Sequence, residues 1–363
     1  MSALADQDQA DHGRDQPNIE RAGSASGGPA FTHTFANAAI GAAFARTGNR
    51  LAVVLANGEV AHLTLGEPGE PTRTVAHAEA TLHWLATADG VITGGDDGRV
   101  VFTPFVGAPR LLLCEPGRWI NALAFEPDTG RIAVAIGRSV RVVGEGAEQS
   151  RFETHPSTVA ALAFTPAGEA LAAAHYGGVT LHVFGRGSRL FARKGSMVAV
   201  TVSADARFIV AAAQDREAVT WPVAGGEPME MAGYGGKPTS LSWAGDGRHL
   251  ATSGADGVIV WPFDGRTGPF GRRALELAPE RKELVTTVAF HPRLRRIAYG
   301  YRDGFAAVID FKGEPQTVVE ADGEAVAALA WSPDGLRLAV CGESGRVMVR
   351  TWPKPGLLKR LFG

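Results

Sequence analysis

The feature that most constrains this chain is a segment of about forty residues that occurs eight times. Each copy, named repeat 1 to repeat 8 in chain order, contains an apolar anchor residue, a polar turn, an apolar run, a tight turn and another apolar run. The anchors are Phe44, Trp84, Phe125, Phe164, Val202, Trp243, Phe290 and Trp331. The tight turns are Asn57-Gly58, Asp97-Gly98, Gly137-Arg138, Gly177-Gly178, Asp215-Arg216, Asp256-Gly257, Asp303-Gly304 and Ser344-Gly345. Such a period predicts an array of one supersecondary unit, so the chain length does not imply two domains.

Each repeat has the pattern of short strands. In repeat 6, the apolar runs 249–253 and 258–261 are separated by Asp256-Gly257. These runs are too short for helices, and Asp-Gly turns favour hairpins because the two-residue turns need positive φ. A further run, such as 110–114, lies before each anchor. Four strands in forty residues predict the blade of a β-propeller.

The anchors and turns resemble those of the WD-repeat family. Residues 331–339, Trp-Ser-Pro-Asp-Gly-Leu-Arg-Leu-Ala, are similar to the first strand, turn and second strand of that family. The resemblance covers roughly residues 31–352, although Trp-Pro replaces the Trp-Asp of the family at three positions. It implies that some side chains brace a blade by hydrogen bonding. These are His155, which matches the histidine before the first strand, and Thr252, Asp256 and Trp261 of repeat 6.

The predicted fold is all-β, a single closed β-propeller of eight four-stranded blades. Seven blades are the alternative, because the entry to repeat 2 is short. Repeat 8 lacks a fourth strand after Trp352, so we expect residues 31–35 to pair with residues 346–351 and to close the ring. Closure removes an exposed sheet edge. We divide the chain into a disordered N-terminal extension, 1–29, a propeller, 30–353, and a basic and apolar C-terminal tail, 354–363.

The composition of the chain bears on its expected partners, its origin and its compartment. The net charge is −2, so no strong field favours nucleic acid. Lys and Arg total 36, of which six are Lys, and this preference for Arg, with abundant Ala and Gly, favours a bacterial origin. We expect neither a signal peptide nor a transmembrane segment. The two cysteines, in separate repeats, favour the cytoplasm.

Catalytic motifs are not found. The sequence has no Gly-x-Ser-x-Gly elbow, no phosphate-binding loop and no Cys-x-x-Cys pair. The interpretation is therefore a protein that is not an enzyme, with no cofactor, no metal ion and no catalytic residue. The alternative is an enzyme or small-ligand receptor with its site in the central channel, although Ala42, Ala161 and Ala328 favour a packed channel.

Strand order divides the loops between two faces. The connections between repeats and the tight turns lie on one face, the first rim. The turns after the anchors, and the connections between the third and fourth strands, lie on the other face, the second rim. Tyr, Trp and Arg are enriched in binding hot spots. The predicted partner-binding residues of the first rim are Arg118, Trp119, Tyr176, Tyr234, Tyr301 and Arg302. Alternatively, Tyr234 occupies the histidine position of the brace.

The functional prediction is a monomeric scaffold or regulatory adaptor that binds other proteins through its loops. A rigid ring presents many loops in a fixed geometry, which suits recognition without chemistry. A second alternative is a peripheral membrane adaptor, because the tail contains Leu357, Leu358, Lys359 and Arg360. Fold alone does not establish function, so these remain expectations.

Overall fold

A computed structural model describes residues 29–67, 69–144, 147–152, 155–278 and 281–352. The predicted extension, apart from residue 29, and the predicted tail lie outside these ranges. The strands of the first half of the chain are β1 (Pro29–Thr34), β2 (Ala39–Phe44), β3 (Arg50–Leu55), β4 (Glu59–Thr64), β5 (Thr72–Val75), β6 (Thr81–Ala86), β7 (Gly90–Gly95), β8 (Arg99–Pro104), β9 (Arg110–Cys114), β10 (Ala122–Glu126), β11 (Arg131–Ile136), β12 (Ser139–Gly144) and β13 (Ala147–Phe152).

The second half of the chain continues the same pattern. Its strands are β14 (Ala161–Phe164), β15 (Ala170–Val183), β16 (Gly187–Val202), β17 (Phe208–Ala213), β18 (Ala218–Pro222), β19 (Met229–Met231), β20 (Leu241–Trp243), β21 (His249–Thr252), β22 (Val258–Pro262), β23 (Leu275–Leu277), β24 (Val285–Phe290), β25 (Arg296–Tyr301), β26 (Ala306–Asp310), β27 (Gln316–Val319), β28 (Val326–Trp331), β29 (Arg337–Gly342) and β30 (Arg346–Thr351). The described chain is all-β, and it contains no helix that could span a membrane.

The described strands form seven sheets, which is the alternative number and not the favoured eight. Repeats 1, 2, 3, 6 and 7 each form a four-stranded antiparallel sheet, in the order of the chain. Repeats 4 and 5 share one six-stranded sheet, because β15 and β16 run on where the strands of the other repeats are interrupted. Gly177 and Gly178, at φ of 99° and 132°, let β15 change direction without a break.

Repeat 8 contributes β28, β29 and β30, and the fourth strand of its sheet is β1. The two strands are antiparallel, with Phe31 opposite Val349 and His33 opposite Val347. Phe35 follows β1, donates its N–H to the carbonyl of Gly345 at 2.9 Å and is 2% exposed. The two ends of the described chain therefore meet in one sheet.

The sheets are arranged in a circle. Most first strands of consecutive repeats contact each other, and β2 of repeat 1 contacts β28 of repeat 8. Repeats 5 and 6 are joined where the indole N–H of Trp243 donates to Thr201 Oγ1 at 2.8 Å. Apolar side chains fill the spaces between sheets, and one such cluster joins Phe35 and Leu51 to Val347 of repeat 8. This is the architecture of a β-propeller.

Candidate protein-binding rim

The first rim is held together by contacts between the loops of which it consists. In repeat 2, His77 lies in the connection before the first strand, and its Nδ1 lies 3.1 Å from Asp97 Oδ1 in the tight turn. His77 Nε2 lies 2.8 Å from Thr93 Oγ1. Ser157 Oγ, in the connection before repeat 4, accepts the N–H of Tyr176 at 2.8 Å. Inter-repeat connections and tight turns thus share one face, as strand order predicted.

His155 joins two repeats through a buried group of imidazoles. Its Nδ1 lies 2.8 Å from the carbonyl of Arg138 in repeat 3, and its Nε2 lies 2.8 Å from Nε2 of His182 in repeat 4. His182 Nδ1 contacts Ser188 Oγ at 2.6 Å, and His175 Nε2 contacts Thr180 Oγ1 at 2.8 Å. We refer to His155, His175 and His182 as the imidazole cluster. Its position between repeats fits the structural role that the family resemblance implies for His155.

Burial sets the protonation state of the imidazole cluster. His182 is 5% exposed, and burial lowers its pKa to about 4, with further lowering by the nearby His155 and His175. Burial also lowers the pKa of His155, although the carbonyl of Arg138 opposes this shift. No set of three or more His, Cys, Asp or Glu within the described ranges is arranged to hold a metal ion. The lowered pKa values of His155 and His182 therefore favour their uncharged forms at neutral pH.

In repeat 6, the brace uses a tyrosine in place of the histidine. The hydroxyl of Tyr234 lies 2.9 Å from Thr252 Oγ1 and accepts the indole N–H of Trp261 at 2.8 Å. Thr252 and Trp261 therefore occupy the predicted bracing positions. The carboxylate of Asp256 does not join this group of contacts, because the side chain is exposed and only its backbone carbonyl accepts hydrogen bonds. The structure therefore places the predicted bracing side chain of Asp256 outside this group of contacts.

Two of the six predicted partner-binding residues are buried. Tyr234 is 8% exposed, and burial raises the pKa of its hydroxyl, which is part of the brace. Tyr301 has no exposed surface, and its hydroxyl donates to the carbonyl of Asp256 at 2.8 Å. Burial raises the pKa of Tyr301 to about 12. The structure therefore places these two side chains inside the molecule and not on the exposed surface of the first rim.

The other four candidates lie on the surface of the first rim. Trp119 is 66% exposed and Tyr176 is 54% exposed, and they are the exposed large aromatic residues of the described chain. Arg118 and Arg302 are also exposed. Trp119 precedes repeat 3 and Tyr176 lies in the tight turn of repeat 4, so the two rings belong to neighbouring parts of the rim. A tryptophan and a tyrosine with water over most of their surface are available for contact.

The charges of the first rim are segregated, which sequence analysis missed. Most exposed cations without a carboxylate partner among the described residues lie on repeats 3 to 6. They are Arg118, Arg138, Lys194, Arg216 and Lys237, and Arg99 is a further one on repeat 2. Most exposed acids lie on repeats 8, 1 and 2, and they include Glu79, Glu320, Glu324 and Glu343. Asp215 of repeat 5 and Asp256 of repeat 6 are exposed acids within the basic part. Repeat 7 carries both signs, with Lys282 and Arg302 near Glu283. The net charge of the chain is near zero and gives no sign of this division. The division can be recognised only when it is known which loops share a face.

The strands that are expected to line the central channel carry few ionisable side chains. The first strands of the repeats contain only two ionisable side chains, His83 and Glu126. These strands are β2, β6, β10, β14, the last six residues of β16, β20, β24 and β28. Burial lowers the pKa of His83. The carboxylate of Glu126 accepts the N–H groups of Asp128 at 2.8 Å and Thr129 at 3.0 Å in its own turn. The carboxylate of Glu126 therefore stabilises its own turn.

Comparison with known proteins agrees with this architecture. The family model described as "WD domain, G-beta repeat" matches residues 229–261 and 313–350. These segments are WD repeats. No curated protein sequence matches the chain significantly.

Solved structures extend the fold similarity to most of the chain. The computationally designed Ika8 protein is 21% identical, with a TM-score of 0.71, and the match covers 88% of this chain and 98% of that one. The C-terminal WD40 domain of Sif2 is 14% identical, with a TM-score of 0.70, and the match covers 92% of this chain and all of that domain. At these identities the likeness concerns the fold alone.

Proposed function

We propose that this WD-repeat propeller is a non-catalytic scaffold that binds other proteins through its first rim. The observation that carries the proposal is the pair of exposed rings, Trp119 and Tyr176, beside the unpaired cations of repeats 3 to 6. Aromatic and Arg side chains supply most of the energy of protein interfaces. The backbone beneath them is held by hydrogen bonds, as at Tyr176, so the loops lose little conformational entropy when a partner binds.

Charge segregation supports a preferred orientation of the partner. A surface with one basic part and one acidic part steers a complementary partner during encounter, and the effect weakens as salt increases. The apolar first strands favour this function over a catalytic site in the channel. The membrane-binding alternative depends on the tail, which lies outside the described residues. We propose a cytoplasmic monomer, an assignment that the two free cysteines support.

We also propose that the seven sheets represent eight blades and that β1 closes the ring. The six-stranded sheet contains the strands of two repeats, with β16 serving as the last strand of repeat 4 and the first strand of repeat 5. The pairing of β1 with β30 and the contact of β2 with β28 support closure. An eight-membered ring places repeats 3 to 6 on one half of the rim.

Affinity capture from the native organism tests the function. The triple variant Trp119→Ala, Tyr176→Ala, Arg302→Ala changes only exposed side chains, so we expect its melting temperature to equal that of the wild type. Mass spectrometry should identify partners that the wild type captures at moderate salt and the triple variant loses. The matched control is Val106→Ala with Leu294→Ala, which changes exposed residues of the second rim, 74% and 51% exposed. Identical partners for all three proteins would refute a first-rim interface.

A further inference from the structure

A cavity of about 550 Å³ lies between repeats 2 and 3 and opens on the second rim. Ile92 and Phe102 form the wall on the side of repeat 2, and Phe125, Ile132 and Val143 form the wall on the side of repeat 3. Small-molecule sites in proteins usually have volumes of roughly 300–1,000 Å³ and mostly apolar walls. The cavity therefore has the size and lining of a ligand site, far from the binding rim proposed above.

The cavity follows from a glycine at a position where four other repeats have an arginine. This position is the first residue of the second strand, and it is Arg50, Arg131, Arg296 and Arg337 in repeats 1, 3, 7 and 8. Arg50 donates to the carbonyl of Phe105 in repeat 2 at 3.2 Å, and Arg337 donates to that of Gly48 in repeat 1 at 3.1 Å. Arg131 donates to the carbonyl of Gly168 in repeat 4. Arg50, Arg131 and Arg337 therefore bridge neighbouring repeats, whereas Arg296 binds Asp310 of its own repeat.

Repeat 2 cannot form the same bridge. Its residue at this position is Gly90, and a Cβ there would lie 2.3 Å from the carbonyl oxygen of Thr103. That distance is far below a van der Waals contact, so the backbone excludes every side chain. The space that an arginine fills between repeats 3 and 4 is consequently open between repeats 2 and 3.

The anchor of repeat 3 does not fill the remaining space. In repeats 6 and 8 the anchors Trp243 and Trp331 reach the preceding repeat, with the indole N–H bonded to Thr201 Oγ1 at 2.8 Å and to the carbonyl of Ala289 at 3.1 Å. In repeat 3 the anchor is Phe125, which is smaller, has no polar hydrogen and is only partly buried. Its ring forms a wall of the cavity and leaves the interior open.

The mouth of the cavity carries a net positive charge. Arg110 lines it, is exposed, and places its guanidinium 5.0 Å from the centroid of the Phe102 ring, with no carboxylate partner among the described residues. The other charged residues of the lining are Arg46 and Asp89, which are 3.5 Å apart and are both highly exposed. Asp89 thus offsets Arg46, and Arg110 remains available to an acidic group.

We propose that this cavity binds a small amphipathic anion, with an apolar ring system between repeats 2 and 3 and one acidic group on Arg110. A planar guanidinium can form two parallel hydrogen bonds with a carboxylate or sulfonate. The apolar body of the ligand would cover Phe125 and Ile132. The proposal is independent of the first-rim interface, because the two sites lie on opposite faces.

Fluorescence titration of the full chain with 8-anilinonaphthalene-1-sulfonate tests the site, because this dye combines an aromatic body with one anionic group. We expect saturable binding by the wild type. Arg110→Glu should raise the Kd about tenfold or more, equivalent to about 1.4 kcal/mol. Phe125→Trp, which introduces the anchor of repeats 6 and 8, should remove binding by filling the cavity. The uncharged dye N-phenyl-1-naphthylamine should bind the wild type and Arg110→Glu equally.

Arg189→Glu is the matched control for charge. Arg189 lies in the last strand of repeat 4, with its guanidinium 4.8 Å from the centroid of the Phe191 ring, as Arg110 lies in the last strand of repeat 2. Its variant should keep the wild-type Kd.

A second apolar recess of about 580 Å³, lined by Phe208, Val223 and Phe270, is the competing site for the dye. Loss of binding in Phe270→Ser, or an unchanged Kd in Arg110→Glu, would overturn the proposal.

Discussion

At the residue scale, different side chains perform the same task on the first rim. In repeat 2, His77 connects to Asp97 and Thr93. In repeat 6, Tyr234 connects to Thr252 and Trp261. In repeat 7, the guanidinium of Arg281 lies 2.7 Å from the carboxylate of Asp303 and 4.2 Å from the centroid of the Phe305 ring. The task requires a side chain from the connection before the first strand that can reach the tight turn or the strands beside it, and its chemistry depends on the partner found there.

The brace of repeat 6 provides a prediction about stability. Tyr234→Phe keeps the ring but removes the hydroxyl, so the buried indole N–H of Trp261 loses its acceptor. The hydroxyl of Thr252 loses one partner and keeps its contact with the carbonyl of Ile259. Leaving buried polar groups unpaired costs about 1–3 kcal/mol, and we expect the free energy of unfolding in urea to fall by that amount. The control is Tyr176→Phe, because its ring is exposed. An equal effect of the two changes would contradict the bracing role of Tyr234.

The imidazole cluster predicts how stability depends on pH. The pKa of His182 is about 4 in the folded chain and near 6.5 when unfolded. The unfolded chain therefore binds more protons between these values, so the folded state is stable above pH 6.5 and loses stability as the pH falls towards 4. We expect His182 to account for about 2 kcal/mol of the loss in unfolding free energy between pH 7.5 and pH 5.

Comparison with His182→Gln isolates this contribution from the other histidines. Glutamine keeps hydrogen-bonding capacity but does not titrate in this range. The unfolding free energy of the variant should fall less between pH 7.5 and pH 5 than that of the wild type. If both proteins lose the same free energy, the buried neutral state of His182 is not the cause.

Single residues also show where sequence reasoning fails. Tyr176, Tyr234 and Tyr301 occupy loops of the same rim, and residue type alone made them equal candidates for binding. Tyr176 is exposed, whereas the other two are buried, with Tyr234 in contact with Trp261 and Tyr301 in contact with Arg281. These contacts join residues that are distant along the chain, so the residue type and the local sequence do not specify them.

At the scale of elements, turn chemistry makes most strands predictable. Asn57-Gly58, Asp97-Gly98 and Asp303-Gly304 each separate two strands of a hairpin, and the glycines have φ of 86°, 76° and 88°. The sheet count was harder to predict, because it depends on whether a strand stops between two repeats. Residues 187–202 continue as one strand, β16, from repeat 4 into repeat 5. No turn motif in that segment distinguishes the two cases.

The tryptophan anchors connect one element to the next. Trp243 packs its ring 4.8 Å from the centroid of Phe263 and bonds Thr201 of repeat 5. Trp243→Ala should lower the free energy of unfolding by about 3–5 kcal/mol, because it leaves a cavity between repeats. Trp243→Phe keeps much of the packing and should cost mainly the hydrogen bond, about 0.5–1.5 kcal/mol. Urea unfolding of both variants checks this order, and a reversed order would exclude packing as the main contribution of the anchor.

At the scale of the whole molecule, the decisive contact is the one between the two ends of the described chain. In a propeller each sheet is stabilised mainly by its two neighbours, so an incomplete sheet weakens the arrangement locally and exposes an edge. The charge division of the first rim also exists only at this scale. Most of its exposed cations come from separate repeats, 3 to 6, and the circular arrangement of the repeats places them on the same part of the rim.

Removal of β1 tests whether the chain closes on itself. A chain that begins at Ala36 lacks Phe31 and Phe35, which pack against β30 and β3, and leaves the backbone of β30 unpaired. Loss of one large buried ring costs about 3–5 kcal/mol, so the melting temperature should fall by roughly 10 °C, with aggregation through the open edge. The matched control begins at Pro29 and keeps β1. Equal melting temperatures and equal solubility of the two chains would show that closure by β1 does not stabilise the ring.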